Sequence, residues 1–313
     1  MATDNIAPIT IVIVNWNAGE QLADAVRSII SYHAGLVSLV AVIDNASSDD
    51  SLDNIKAMQD LPFPVQIVRN ALNMGFAAAC NQGAEFAESE FILFLNPDTR
   101  LFPDSLSKTV AFMQNPDNTK IGICGIRLLD EQGNFSTSAS RFPTLSVVAG
   151  KILGLNKLLP SMFPAHLMAS SDLLKNDYVD QVIGAYFLIR KSVFIQCAGF
   201  DERFFVYFEE VDLSLRAKRL GYASYFLADV SAFHKGGGCS AQVKAGRLFY
   251  SLRSRIYYAQ KHYSKPEFVA LILLTAIELP LRLAQAVLRR SSTDIKNTCI
   301  AYRCLVSYFA NSD

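Results

Sequence analysis

Three carboxylates, Glu209, Glu210 and Asp212, directly follow an aromatic run of Phe204, Phe205, Tyr207 and Phe208. Apolar residues Leu213, Ala217 and Leu220 then recur at i, i+4 and i+7, so an amphipathic helix ending at Gly221 is predicted, with the acids in its first turn. Acids there complement the helix dipole. Asp212 stands one turn before Arg216, so an ordinary ion pair and a functional role are equally open for it. Glu209 and Glu210 point about 100° apart around the axis, so one can face inward while the other holds the turn. An aromatic wall beside a carboxylate excludes water and raises its pKa, which suits a general base.

A second group of residues has the types needed to grip a charged leaving group. The most apolar strand, residues 91–95, runs into Asn96-Pro97-Asp98-Thr99. A carboxylate at a central strand exit can hold a hard divalent cation that bridges diphosphate oxygens, and Asp98 lies too early to cap the helix expected near Pro103. His234 heads a run of Lys235 and three glycines, where a neutral imidazole could bind the same metal and backbone amides could cradle phosphate. Asn73-Met74-Gly75-Phe76 opens a small-residue helix whose free N–H groups could face an anion, although Asn-x-Gly also makes an ordinary turn. Gly184 and Ala185 fall within strand-like residues 178–189, marking either a ligand's close approach or a bulge.

These residues need elements to place them. Residues 9–14, 39–43 and 65–68 read as buried parallel strands, with a helix over 19–32 and another before the third strand. That is the βαβ alternation of a doubly wound sheet, in which ligands bind outside the carboxyl ends of the strands. Asn15, Asp44 and Asn45 close two of those strands; Ser47, Ser48 or Asp49 could cap the next helix, which favours a ligand role for Asp44. Further strands are expected at 121–126 and 223–227, separated by an irregular stretch over 127–175 that could cover an acceptor.

The whole chain sets bounds on this picture. Its 313 residues suffice for two domains or for one large α/β domain with an appendage, the latter divided as 1–240 and 241–313. Twenty-nine basic residues balance twenty-nine acidic ones, which argues against nucleic acid as a partner. Six cysteines without a C-x-x-C pair read as reduced thiols of a cytosolic protein, and the N-terminus lacks the basic start of a secretory signal. Residues 243–265 carry six Lys or Arg and no acid, and the mostly apolar 268–288 is interrupted by Glu278, Pro280 and Arg282. A spanning helix calls for about 20 uninterrupted apolar residues, so amphipathic helices on the cytoplasmic membrane face are favoured over a span. A buried helical pair or a homo-oligomer interface stands equally open.

Val14-Asn15-Trp16-Asn17, residues 42–49, Asn73-Met74-Gly75-Phe76, Leu95-Asn96-Pro97-Asp98, Gly199-Phe200-Asp201-Glu202, residues 209–213 and His234 follow in the order of family 2 glycosyltransferases. Over residues 9–263 the chain most resembles their bacterial rhamnosyltransferase-type branch. The resemblance implies a GT-A fold, a Rossmann-like, mostly parallel sheet flanked by helices, here with a helical C-terminal appendage. It implies a nucleotide-diphosphate sugar donor and inverting, metal-dependent transfer with Mg2+ or Mn2+. Asp44 matches the residue that reads the base, with Asn15 and Asn45 beside it. Asn73, Gly75 and Phe76 border the nucleotide, and Gly184 and Ala185 complete the donor set. Asp98 matches the last position of the family's D-x-D motif and Asn96 the first, which leaves coordination to Asp98, His234, phosphate oxygens and water. The family's acidic pair falls on Glu209 and Glu210, so Glu210 is the expected base, with Glu209 and Asp212 as supporting acids. The donor expected by resemblance is dTDP-rhamnose, then UDP-hexoses; the acceptor is a glycan or lipid-linked glycan precursor, met by an enzyme peripheral to the cytoplasmic face of the inner membrane. A nucleotidyltransferase would need a basic glycine-rich loop after the first strand, and residues 15–20 have none. A catalytically inactive sugar-nucleotide-binding protein is the non-enzymatic rival.

Overall fold

A computed structural model of the chain describes residues 7–236 and 244–311. The chain begins with β1 (Ile9–Asn15), α1 (Glu20–His33), β2 (Val37–Asp44), α2 (Ser51–Lys56), β3 (Val65–Arg69), α3 (Phe76–Glu85) and β4 (Phe91–Leu95). It continues through β5 (Thr99–Leu101), α4 (Ser107–Gln114), β6 (Ile121–Leu129), β7 (Phe135–Ser136), β8 (Ala139–Ser140), α5 (Leu145–Leu153) and α6 (Leu155–Leu158). Next come β9 (Asp177–Val179), β10 (Gln181–Val182), β11 (Tyr186–Arg190), α7 (Lys191–Gln196), α8 (Glu209–Arg219) and β12 (Ala223–His234). The last elements are α9 (Lys244–His262), α10 (Lys265–Leu288) and α11 (Ser292–Ala310).

By packing, the described residues fall into two units. One takes the chain up to Arg141, Leu167–Glu202 and Glu209 through β12; the other takes Phe142–His166, Arg203–Phe208 and the C-terminal helices.

In the first unit the main sheet runs β3-β2-β1-β4-β11-β6-β12-β5. The β3-β2-β1-β4 half is parallel, and β1 and β4 are buried at every position, as strands covered on both faces must be. Leu22 and Val26 of α1 pack with Ile11 and Ile13 on one face, whereas Ala77 and Cys80 of α3 and Leu213 and Ala217 of α8 pack with Val12 and Phe94 on the other. The α3 contact is close: a Cβ on Gly83 would stand 2.3 Å from Val12, so only glycine lets this helix lie so near β1. The second half of the sheet mixes directions, with β11 antiparallel to β4 and β6 and β12 parallel to β6.

Several expectations need correction. Residues 178–189 do not form one strand. The chain changes partner within them, since β9 pairs with β12, β10 with β8, and β11 with β4 and β6. Gly184 and Ala185 consequently lie in the turn between β10 and β11, not inside a strand. The stretch read as irregular contains α5 and α6. The Thr144 side chain accepts from the Val147 amide to start α5, and Gly154 at φ 74° ends it. In α8 the buried side is Val211, Leu213, Ser214 and Ala217, while Leu220 is exposed.

The second unit packs Leu252 and Ile256 of α9 with Tyr302 and Leu305 of α11, and Val148 of α5 with Ala259 and Leu271. α10 runs unbroken through Pro280 for 24 residues, and it is long and apolar enough, by length and composition, to cross a membrane. Val269, Leu273, Ile277 and Leu281 on it are exposed. Val243 and the glycines Gly237 and Gly238 lie outside the described residues.

Candidate active site

The carboxyl ends of β1, β2 and β3 come into register, with Asn15 opposite Asp44 and Asp44 opposite Arg69. Asp44 is fully buried. Its Oδ1 accepts from the Asn15 amide at 2.7 Å, its Oδ2 accepts from the Ser47 N–H at 3.3 Å, and Arg69 Nε stands 3.6 Å from the same oxygen. The same Asn15 nitrogen also reaches Ser47 and Ser51, and its Oδ1 is buried with no hydrogen-bond partner. A cavity of about 310 Å³ opens beside this network, lined by Ala46, Ser47, Arg69, Asn70 and Ala71. Asn15 and Asp44 therefore stand behind the cavity and hold its wall. Arg69, which bonds the Ser47 carbonyl at 3.4 Å, presents the charge. Sequence reading passed over Arg69, although it closes the third strand as Asp44 closes the second, and strand-closing polar residues are the ones to examine in such a sheet.

Asn45 links this corner to α3. Its side-chain nitrogen donates to the Gly75 carbonyl at 2.9 Å and its Oδ1 accepts from Asn70. Asn73 Oδ1 accepts the Gly75 N–H, and Gly75, at φ 89°, turns the chain into Phe76 with no side-chain cap on α3. The first-turn amides of α3 and Phe76 thus follow directly from the β2 and β3 ends. Gly184 is near the Phe76 ring, since a Cβ there would stand 4.0 Å from it.

Asp98 and His234 are 136 positions apart, and β5 brings them together. Thr99 pairs with His234 across the β5–β12 ladder, and the Lys235 amide donates to the Asp98 carbonyl at 3.2 Å. Asn96-Pro97-Asp98-Thr99 is a turn closed by Thr99 N–H to Asn96 O, and it rests on Ala185, whose carbonyl accepts from the Asn96 amide and the Thr99 hydroxyl. Ala185 is fully buried, so it supports the turn from behind. His234 Nε2 lies 3.4 Å from Asp98 Oδ1, and His234 Nδ1 is buried without a partner. Adjacent ligands of an octahedral ion at about 2.1 Å stand roughly 3 Å apart, so this pair fits two positions around one Mg2+ or Mn2+, with oxygen ligands completing the set. Among the described residues, no third His, Cys, Asp or Glu joins them.

The acidic trio separates physically. Asp212 is fully buried and takes both Nε and Nη2 of Arg216 at 2.7 Å, so it is occupied as an ion pair. Glu209 is buried and Glu210 half-buried, and each has one oxygen, Oε2, without a hydrogen-bond partner. Burial first, then the charge of Glu210, pushes Glu209 well above the usual carboxylate range. Burial pushes Glu210 up to about 7, while its own and the Val211 backbone amides favour its ionised form. Burial thus favours the protonated form of both carboxyls, and the charge of Glu210 adds to that effect at Glu209. Cys80 of α3 is close enough to feel both charges.

Two devices aim the first turn of α8. Asn81 of α3 accepts the Phe200 N–H and donates to the Phe200 carbonyl and Glu202, which fixes the approach from residues 199–202. Tyr207 and Phe208 then adopt left-handed φ values of 69° and 73°, a conformation that costs about 1–3 kcal/mol per residue outside glycine. The aromatic run itself packs in the second unit: Phe205 stacks on Tyr250 at 4.7 Å, and Phe208 faces Tyr258 and His166.

Residues 10–196 match the family described as glycosyl transferase family 2, which accounts for more than half of the chain. The chain belongs to this glycosyltransferase family. Within it, the glycosyltransferase is rhamnosyltransferase-like. It is 29% identical to rhamnosyltransferase WbbL of Escherichia coli over 150 residues, 47% of this chain and 53% of that protein. It is 26% identical to the N-acetylglucosaminyl-diphospho-decaprenol L-rhamnosyltransferase of Mycobacterium tuberculosis over 272 residues, 81% of this chain and 85% of that one. The chain therefore spans about half the length of the first relative and most of the second. Among solved structures, mannosyltransferase PcManGT of Pyrobaculum calidifontis in complex with GDP-Man and Mn2+ matches with a TM-score of 0.56 at 14% identity, covering 98% of this chain and 76% of that one. TarS 1–349 of S. aureus in complex with UDP-GlcNAc matches at 0.55 and 13% identity, over 93% and 79%. At such identities the likeness carries the fold, and the glycosyltransferase has the GT-A fold.

Proposed function

We propose that this glycosyltransferase moves L-rhamnose from dTDP-rhamnose to a hydroxyl of a lipid-linked glycan precursor, with inversion at the anomeric carbon. The sugar and the acceptor class are supported by the names of the two rhamnosyltransferases it resembles, one of them an N-acetylglucosaminyl-diphospho-decaprenol L-rhamnosyltransferase, and the dTDP carrier by the family resemblance alone. The observation that carries the chemistry is the Glu209–Glu210 pair, whose outer member ionises near pH 7. In one step the acceptor oxygen attacks the anomeric carbon, its proton passes to the Glu210 carboxylate, and the bond from that carbon to the diphosphate oxygen breaks on the opposite face. Burial and the neighbouring charge of Glu210 favour the protonated form of Glu209. Asp98 and His234 would hold a Mg2+ or Mn2+ ion, which when bound neutralises the departing diphosphate. Ser47, Arg69 and Asn70 would surround the nucleotide, and the α3 amides would face its phosphates. The basic, apolar C-terminal helices would lie against the anionic cytoplasmic membrane face, where a lipid-linked acceptor is found.

A thermal-shift screen of nucleotide-sugars with and without Mn2+ tests the donor. At one hundred times its dissociation constant a donor adds about 2.7 kcal/mol to the folded state, so dTDP-rhamnose with Mn2+ is expected to raise Tm clearly above the other donors. A response to a UDP-hexose alone would replace the donor, and no response to any nucleotide would overturn the reading.

A further inference from the structure

Arg253 of α9 is a buried cation set among aromatic rings. Its guanidinium carbon stands 4.9 Å from the centre of the Tyr250 ring, 5.0 Å from that of Tyr308 on α11, 5.5 Å from Phe249 and 5.9 Å from Phe205. Ring faces offset part of the cost of burying the charge, but they leave its N–H donors without acceptors. Among the described residues no acid stands within ion-pair distance of Arg253 and none accepts a hydrogen bond from it, and its Nε is buried without a partner. Arg303 of α11, an exposed residue, likewise has no acid partner among the described residues. Three acids occur among the described residues of the helical unit, and two are engaged: Glu278 takes Arg255 and Arg282, and Glu267 takes the Ser264 hydroxyl. The third, Asp294, lies nine positions before Arg303, about 13 Å along the helix.

Two of the rings around Arg253 also line a groove of about 640 Å³. Phe249 forms its α9 side. Arg303, Cys304, Ser307 and Tyr308 share the facing stripe of α11, with Asn311 one turn beyond. A hydrogen bond of 2.8 Å between the Tyr257 and Tyr308 hydroxyls fixes the Tyr308 ring. The groove thus offers two ring faces, a hydroxyl, an amide and an exposed guanidinium, with the unfilled guanidinium of Arg253 against the same two rings. Electron-rich ring faces suit the C–H face of a sugar, hydroxyl and amide side chains suit its hydroxyls, and a planar guanidinium suits a carboxylate or phosphate. A wholly apolar ligand would leave both arginines unfilled, and a small inorganic anion would leave the rings unused.

We infer that this groove binds a sugar residue bearing an oxyanion, a hexuronic acid or a hexose phosphate, with its ring on Phe249 and Tyr308 and its anion held by Arg303 and Arg253. The assignment goes beyond the donor and the transfer step proposed above and depends on neither.

Cys304 reports occupancy of the groove directly. It is an exposed free thiol in the lining, whereas Cys299, also exposed and free, points about 140° away around α11 and is not part of that lining. The test is N-ethylmaleimide labelling of the full-length protein, read at each thiol by peptide mass spectrometry. Glucuronate, glucose 6-phosphate, glucose and inorganic phosphate are compared at equal concentration and ionic strength. Glucuronate or glucose 6-phosphate is expected to slow Cys304 labelling saturably, about threefold at twice its dissociation constant, and to leave Cys299 unchanged. The more protective of the two identifies the anion. Glucose and inorganic phosphate should each protect less, and the protection should be lost in Arg303→Gln and, separately, in Arg253→Gln. Tm checks both variants, and the exposed Arg303 decides the matter where loss of the buried Arg253 unfolds the unit. No protection by either acidic sugar would overturn the site, as would protection that survives Arg303→Gln. Equal protection by inorganic phosphate would reduce it to a general anion contact and overturn the sugar assignment, and equal protection by glucose would remove the arginines from it.

Discussion

Glu210→Gln is expected to lower the transfer rate by about 10²–10⁴-fold while leaving donor binding intact, the range associated with loss of a positioned general base. The change keeps the size of the side chain and removes only its capacity to take a proton. It should also raise stability at alkaline pH. The folded state raises the Glu210 pKa from 4.5 to about 7, so it binds the proton more tightly than the unfolded chain does. The charged carboxyl therefore destabilises the fold increasingly as pH climbs from the unfolded value through the folded one, and fully above it. The variant should gain roughly 3 kcal/mol at pH 8 and almost nothing at pH 4, read as a Tm difference that grows with pH. An inactive variant that is also less stable at pH 8 would point to a structural part for Glu210.

Asp98→Asn is expected to cost about 10²–10³-fold in kcat/KM, the several kcal/mol that metal-assisted neutralisation of a leaving group supplies. The amide keeps the shape of the turn on Ala185 and its backbone link to Lys235, so Tm should hold. Titration with Mn2+ in the presence of dTDP separates the causes. The metal-dependent increment in nucleotide affinity should disappear in the variant, whereas an unchanged increment would take Asp98 out of the metal's reach. His234→Ala should show the same loss in smaller measure, since the charged ligand Asp98 remains.

The residues legible in sequence were those whose role follows from a strand end. Asn15, Asp44 and Asn45 close buried strands, and the structure gathers them at one corner. The division of labour there was not legible. Asp44 is a carboxylate behind the wall and Arg69 the charge in the cavity, because a pairing register, unseen in one dimension, sets them side by side. Asp98 and His234 met the same obstacle. Each stood out by type, but the three-residue β5 that brings them together is too short to leave a periodic signal. The turn holding Gly184 and Ala185 was hidden because β-branched and aromatic residues run through 178–189 regardless of partner. α5 was obscured by being apolar on most sides, so no helical stripe separates from its background. In α8 the spacing found the helix, while only burial could tell the ion pair at Asp212 from the raised carboxyls at Glu209 and Glu210.

The pH dependence of kcat/KM tests the central claim most directly, because the base must be ionised to accept the acceptor proton. With Glu210 raised to about 7, the rate should climb tenfold per pH unit on the acid side and level off above pH 7, and the Glu210→Gln residual rate should lack that limb. A wild-type rate that stays level down to the ordinary carboxylate value of 4.5 would contradict the assignment of Glu210 as the buried general base.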